Sequence, residues 1–524
     1  MAQNSTAGAA RGAATGATPG AIDVSTVKNV DLLHAKAVGL IGVLFLTVTG
    51  AAPISAMLFN VPIAVGFGNG IGAAASFLFA TIILTIFSVG YAAMARKVTA
   101  VGGFYSFISH GLGRELGMAF AFASVVAYAV FEASLAGGFS YFANLKLAEF
   151  GMNVSWVWLA FIMTIGIAIL SYFDVKVSAA ILGVALIGEV LILLVFDFST
   201  IRAADASFSL AALNPVNAFK GFDAFKSASG ADLAAGAAAI GLFFAFWSWV
   251  GFEMAPNYGE ESRDPKRIVP LSLYISVIGL GVFYTLTSWC ATSAYPTIQD
   301  AIAKAQGDSA HFFLEPIGKN AGGWAASIMS YLILTGAFAC GMAFHNTCAR
   351  YLYSLGREGV APAVLGRTHQ VYKSPHIAST TQSVIAAILI IIFAVVMGTD
   401  DPTKQAYLGL YGLMALLGTS LILIAQAVVS IAIMIYFQKH HADDTHWFAT
   451  MLAPIISFVA QAIVLWLLFD NIDFLGGGLS FANHIWWIDA VVIVLGIALA
   501  YWLKAAKPNV YDRIGRLIYS GLDK

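Results

Sequence analysis

Charge is what this chain has least of. Asp, Glu, Lys and Arg together fill 10% of its 524 positions, where average proteins carry about a quarter. With hydrophobic residues at 59%, that scarcity excludes a soluble globular protein and leaves a polytopic helical one in the lipid bilayer. A net charge of −1 gives no basic surface for nucleic acid and no acidic one for a basic partner. Cysteine is nearly absent. Cys290, Cys340 and Cys348 all fall in apolar stretches, so neither a disulfide framework nor a zinc site is expected, and no metal or cofactor is called for. A signal peptide is not expected either: the first 27 residues are rich in Ala, Gly, Ser and Thr with a single arginine, and have no apolar signal core. Residues 1–37 read as a disordered cytoplasmic tail, which leaves the first span to direct insertion.

What is present is a series of apolar runs of about 20 residues, the length that crosses a bilayer. Twelve are expected: 38–65, 71–95, 115–143, 154–173, 177–197, 236–258, 268–294, 323–355, 376–398, 405–437, 448–470 and 484–504. Lys and Arg gather on the cytoplasmic side of membrane proteins. With the N-terminus inside, only Lys146, Arg202, Lys220, Lys226, Lys304, Lys319 and Lys404 of the 27 basic residues fall outside. Both termini, including the tail 505–524, are therefore expected in the cytoplasm, with the chain in the cell inner membrane. The longest outer segment, 198–235, has room for a short surface helix.

Two of these runs carry residues that a simple span does not need. In FFAFWSWVGFEMAPNYGEE, Phe243 to Glu261, an apolar helix reaches Ser248, Gly251, Glu253 and Pro256 at bilayer depth. Glycine lowers helix propensity, proline lacks the ladder N–H, and a carboxylate in hydrocarbon needs a cavity or a partner. In LTVTGAAPISAM the first run places Thr47, Thr49, Gly50 and Pro53 in mid-membrane. Each interruption alone fits a proline kink. Together, in spans one and six, they point to an inverted-repeat carrier whose half-helix ends converge on a binding site. The expected organisation is a five-plus-five repeat core at 38–440, followed by spans 11 and 12 at 441–504.

Four stretches then carry a family likeness. Gly102-Gly103-Phe104-Tyr105 with Gly111-Leu112-Gly113 and Gly117 resembles the loop between helices 2 and 3 of the amino acid–polyamine–organocation superfamily of permeases. Trp249-Val250-Gly251-Phe252-Glu253 resembles its helix 6 break. The run from Glu260 through Pro265 to Pro270 resembles its approach to helix 7. Asn346 to Arg350 with Gly356 to Pro362 resembles the end of its helix 8. The likeness spans about residues 38 to 440 and leans toward permeases of basic amino acids and amines. It implies that Thr49, Gly50, Ala51 and Ala52, with Trp247, Ser248, Trp249 and Gly251, hold the substrate. One departure bears on its chemistry. Permeases of α-amino acids usually have Gly-x-Gly in helix 1, whose bare N–H groups take the carboxylate; here the stretch reads Gly50-Ala51-Ala52-Pro53. An alanine β-carbon restricts close approach and left-handed torsions, so an amine without an α-carboxylate becomes a candidate.

Three carboxylates lie within spans, Glu132, Glu189 and Glu253, with no Lys or Arg at comparable depth. Carboxyl groups away from water can exchange a proton near neutral pH. Glu253, beside the second break, matches a position proposed in the family as a proton sensor; the other reading is structural hydrogen bonding. Glu189 stands where some relatives hold a lysine, so its coupling role is open. Glu132 belongs to the strip Ser124, Tyr128, Glu132, Ala136, Ser140 on one helical face. It either borders the site and reads substrate charge, or bonds to span 8 or 10. Trp247 and Trp249 point roughly 200° apart on a helix, so one faces the site, and the family pattern favours Trp247. His345 reads as a packed histidine, and His440, His441 and His446 with Asp443 and Asp444 as a solvated loop.

The expectation is a secondary active transporter of an amino acid or small amine, coupled to protons, with exchange of two related solutes as the alternative. An enzyme would need a nucleophile–base pair or metal ligands at depth, and neither is expected: the sequence is read as having no His-x-x-x-His and no Ser–His set within spans. A channel fits paired breaks less well. Oligomeric state is left open.

Overall fold

In lipid every backbone polar group must be satisfied internally, and an apolar run meets that demand by closing into a helix. The computed structural model describes residues 22–23, 31–173 and 175–518, and they are mostly helix. We number the main helices in chain order: α1 Leu40–Gly68, α2 Gly70–Ala95, α3 Arg114–Ala148, α4 Trp156–Ser171, α5 Val175–Arg202, α6 Ala238–Tyr258, α7 Pro265–Ser293, α8 Gly323–Glu358, α9 His376–Met397, α10 Thr403–His440, α11 Trp447–Asp470 and α12 Ser480–Ala506. Among the described residues, eleven of these are long and apolar enough to cross a membrane.

The exception is α4. The sequence reading runs it over 154–173, but it has 16 residues, about 24 Å at 1.5 Å per residue. The chain leaves the helix at Tyr172 and Phe173, whose rings pack on His376 and Tyr372, while Ser374 donates to the Tyr172 carbonyl at 2.7 Å.

Burial separates centre from rim. In α6 89% of the apolar window is inside the protein, against 22% in α9 and α12. The interrupted α6 is thus the core of the bundle, and α9 and α12 form its lipid-facing rim. Around the centre, α1 packs on α5, α7 and α8, while α3 packs on α8, α10 and α12.

Several segments between spans differ from their sequence reading. The glycine-rich stretch taken as a loop after α2 is a short buried helix, Gly103–Leu112. Its Phe104, Tyr105 and Phe107 fill interior space, and Gly113 at φ 112° turns the chain sharply into α3. The 198–235 segment forms two 3₁₀ turns, Leu210–Leu213 and Pro215–Phe219, and a small hairpin pairing Phe225–Lys226 with Asp232–Leu233. Between α7 and α8 lie two helices that the sequence reading did not foresee, Ile298–Gly307 and Leu314–Asn320.

The tail residues are partly packed. Residues 1–21, 24–30 and 519–524 lie outside the described part. Inside it, Leu33 and Ala37 are buried, Tyr353 donates to the Asp31 carbonyl, and Val38 bridges to Ser262. At the other end Ile514 and Leu517 are buried, and Leu517–Ile518 pairs in parallel with Ile22–Asp23. Both ends of the described chain therefore meet on one face of the bundle.

Candidate functional site: two broken helices and the cavity between them

Helix α1 breaks at Ala52, within the expected stretch Gly50-Ala51-Ala52-Pro53. Ala52 takes the left-handed conformation, φ 42° and ψ 77°, which costs an L-residue about 1–2 kcal/mol. The cause is Pro53, which has no N–H to offer and opens the second half of the helix from its first position. The break strands backbone groups on both sides, and distant side chains take them up. Tyr284 donates its hydroxyl to the Ala51 carbonyl at 2.8 Å, and the Cys340 thiol lies 3.3 Å from the Gly50 carbonyl. Beyond the break, the Ile54 N–H donates to Glu189 at 3.2 Å. A carboxylate from α5 thus caps the N-terminus of a half-helix, where the helix dipole favours negative charge.

Helix α6 breaks over Ser248 to Gly251. Its first part ends at Trp247, Gly251 turns at φ 122°, and the chain continues as a 3₁₀ segment, Phe252–Tyr258. Here the capping carboxylate is local: the Gly251 N–H donates to Glu253 Oε2 at 2.8 Å. Tyr128 of α3 donates to the other Glu253 oxygen at 2.9 Å.

The two breaks touch backbone to backbone. A β-carbon on Gly251 would lie 2.7 Å from both the Ala51 nitrogen and the Gly50 oxygen, so only glycine fits. Between them is a narrow cavity of ≈ 30 Å³, room for about two waters. Gly50, Ala51, Ala52, Trp247 and Ser248 line it, together with Ser55, Asn60, Leu135, Cys340, Phe344 and Tyr411. Trp247 stacks on Tyr411 at 5.4 Å between ring centres. The Asn60 side-chain N–H donates to Ser248 at 2.9 Å. The Ser55 hydroxyl, lining the cavity, has no partner among the described residues. No Lys or Arg is among the described residues of this lining.

Not every expected site residue reaches the cavity. Trp249 is fully buried on the far side of α6, packed on Phe77 and Tyr284. Thr49 lies 3.4 Å from the Leu182 carbonyl of α5. Gly251 joins the breaks without lining the space, and Glu189 and Glu253 sit behind it as caps. Of the two readings of Glu132, the geometry matches the bond to span 8 rather than a place on the cavity lining: Glu132 Oε2 meets His345 of α8 at 2.9 Å and also accepts from Gln382 of α9 at 2.7 Å. The other His345 nitrogen meets the Ser379 hydroxyl at 2.8 Å. A Ser–His–Glu set thus does exist at depth, against the sequence reading, because α8 and α9 bring together residues that no local spacing links. It is wholly buried and knits α3, α8 and α9.

The face that carries the chain ends is closed by ion pairs. Arg350 holds Glu261 at 2.7 and 2.8 Å. Arg357 grips Glu260 with two bonds of 2.7 and 2.8 Å. All four side chains are buried, and each pair joins α8 to the segment after α6. Sequence reasoning quoted these residues as motifs without pairing them. It missed Tyr284, Tyr411, Cys340 and Phe344, which carry no local signal. Asn60 and Ser55 had one, as isolated polar residues in the apolar second half of α1.

With this geometry in view, comparison with known proteins is informative. Residues 38–502 match the family model described as amino acid permease. The chain belongs to that family. Among curated proteins it is similar to the methylthioribose transporter of Bacillus subtilis, 21% identical over 51% of this chain and 50% of the relative. It is also similar to the branched-chain amino acid permease BcaP of the same organism, 21% identical over 84% of this chain and 88% of that one. A third relative is the low-affinity putrescine importer PlaP of Escherichia coli, 26% identical over 29% of this chain and 33% of the importer. The chain thus spans half of the first relative's length and most of the second's. This permease family and these relatives are transporters rather than enzymes, and the apolar helices make this a multi-pass membrane protein.

Proposed function

We propose that this permease is a secondary active transporter that moves a small amine or an amino acid, driven by proton symport, with the cavity between the breaks as its binding site. The observation that carries the substrate class is the balance of groups there. Both breaks already hold a carboxylate of the protein's own, Glu189 at Ile54 and Glu253 at Gly251. The Ile54 and Gly251 N–H groups are thereby occupied. What faces the cavity suits an ammonium group: the free Ser55 hydroxyl and the rings of Trp247, Phe344 and Tyr411, with no Lys or Arg among the described lining residues. Aromatic faces attract cations by roughly 0.5–2 kcal/mol each. Names among the relatives, a putrescine importer and branched-chain amino acid permeases, bracket the same range.

In this reading Thr49, Gly50, Ala51, Ala52, Trp247, Ser248, Trp249 and Gly251 form or brace the site, with Trp247 and Tyr411 as its lid. Glu132 acts at one remove through His345. Glu253 and Glu189 carry the coupling protons, since each caps a break that must rearrange when substrate enters. The short α4 spans as the fourth of twelve helices, two inverted sets of five precede α11 and α12, and both termini lie in the cytoplasm of a cell whose inner membrane holds the protein. Uptake into proteoliposomes of labelled amines and amino acids, with and without a proton gradient, tests the proposal. Accumulation of an amine that a protonophore abolishes and sodium does not restore is expected. Sodium-driven uptake indifferent to the protonophore overturns the coupling, and transport only against internal substrate shows exchange.

A further inference from the structure

Among the described residues, carboxylates within the spans are not confined to the Glu132, Glu189 and Glu253 of the sequence reading: Asp197 of α5 accepts from Thr287 at 2.9 Å, and Asp489 serves neither the cavity nor any ion pair described above. Asp489 lies one turn inside α12, counted from Ile485, where the regular helix begins. It is 2% exposed, and neither carboxylate oxygen has a hydrogen-bond partner among the described residues. The nearby Ser420 hydroxyl donates instead to the Leu417 carbonyl at 2.9 Å. Trp486, Asp489, Ala490 and Ile493 follow one another at helical spacing on a single face. With Ile424 of α10 and Phe469 of α11 they line a groove of ≈ 700 Å³. It opens at the end of the bundle away from the chain ends, on the rim that faces lipid.

An unpaired carboxylate at this depth is costly, and none of the described residues lining the groove is Lys or Arg. Two features indicate what could pair with it. The lining is otherwise apolar except for Asn483, which suits an acyl chain. Trp486 and Trp487 stack at 3.9 Å near the start of α12, and tryptophan marks the headgroup level of a bilayer. A ligand here combines a hydrocarbon chain with a cation at headgroup depth.

We propose that the groove between α10, α11 and α12 is a binding site for a phospholipid whose headgroup carries a primary ammonium, with Asp489 as its counter-ion. The headgroup N–H bonds satisfy the carboxylate, and one acyl chain lies along Ile424, Phe469 and Ile493. Trp486, 45% exposed, turns aside to admit the amine. A quaternary ammonium lacks the N–H donors and an anionic headgroup repels the site, so both are discriminated against.

The test uses the full chain purified from vesicles holding equal amounts of phosphatidylethanolamine, phosphatidylcholine and phosphatidylglycerol with matched acyl chains. Native mass spectrometry counts the lipids retained. Wild type is expected to keep phosphatidylethanolamine over phosphatidylcholine by about tenfold, the equivalent of one ion-paired hydrogen bond at roughly 1.4 kcal/mol. Asp489→Asn is expected to lose that preference and Asp489→Glu to keep it. Stepwise N-methylation of the headgroup lipid tests the idea on wild type alone, with retention falling at each step, should the variants fail to fold. Equal retention of all three lipids by wild type overturns the proposal, as does an unchanged preference in Asp489→Asn. Efficient cross-linking of two chains through Trp486→Cys also overturns it, because a second copy would then cover the groove.

Discussion

The two breaks solve the same problem with carboxylates of different origin. In α6 the chain caps itself: Glu253 lies two residues from the Gly251 N–H that it accepts, and its second oxygen is held by Tyr128. In α1 the cap comes from 135 positions away, where Glu189 of α5 reaches the Ile54 N–H and leaves its other oxygen without a partner among the described residues. A local cap travels with its own helix. A remote cap ties the half-helix to a neighbour, and loosening it changes how α1 and α5 sit together. Glycine use differs in the same sense. The α6 turn needs its glycine, whereas the α1 turn is made by an alanine held in a left-handed conformation.

The largest expected effect breaks the backbone contact itself. Gly251→Ala should reduce uptake to background: the strain at φ 122° alone is worth about 1–2 kcal/mol, and the β-carbon also overlaps α1 backbone. Gly50→Ala should be milder, because its β-carbon meets chiefly the flexible Met254 methyl at 2.5 Å. We expect a partial loss there, from an overpacking cost on the order of 1–3 kcal/mol. Equal losses in uptake assays would erase the distinction between a required and a tolerated glycine. Next comes Glu253→Gln, which keeps an acceptor for Gly251 but cannot cycle a proton. Accumulation should vanish while counterflow persists; accumulation at wild-type levels would make Glu253 a purely structural cap.

A smaller effect probes the remote cap. Glu189→Ala leaves the Ile54 N–H unpaired and should lower stability by about 1–3 kcal/mol, while Glu189→Gln, retaining an acceptor, should stay nearer wild type. Thermal unfolding in detergent measures both, and coincident curves would show that the bond to Ile54 carries no stability. The smallest change is in the opposite direction. Ala52→Gly relieves the left-handed strain, partly offset by chain entropy, and should raise stability by up to about 1 kcal/mol. A fall in the same unfolding assay would mean that the alanine methyl matters more than its torsion.

Much of the architecture was legible because lipid imposes rules on single segments. Apolar length located the spans, and proline with glycine at bilayer depth marked both interruptions. What stayed hidden depends on pairs of segments. The strip through Glu132 showed that its face is shielded from lipid and left span 8 open as a partner, but periodicity names no residue there, and His345 and Gln382 lie 213 and 250 positions away. Gly50 and Pro53 both marked the first interruption, but composition did not say which residue would carry the turn; the strain falls on Ala52, before the proline. Buried Gly103–Leu112 looked like a loop because glycine density masks a helix held by its surroundings. Glu260, Glu261, Arg350 and Arg357 were noticed as words in two motifs. Their pairing could be seen only once α8 lay beside the end of α6.

Those two ion pairs have a consequence for the protein at rest. Opening the face that bears the chain ends means parting Arg350 from Glu261 and Arg357 from Glu260, all of them removed from solvent. Removing one partner of such a pair while the other stays buried costs about 3–5 kcal/mol, a factor of more than about a hundred in population. The pairs thus favour the state in which this face stays closed. Parting them requires water or another partner to take up the bonds of four charges, so one quartet of side chains bears on both closure and opening.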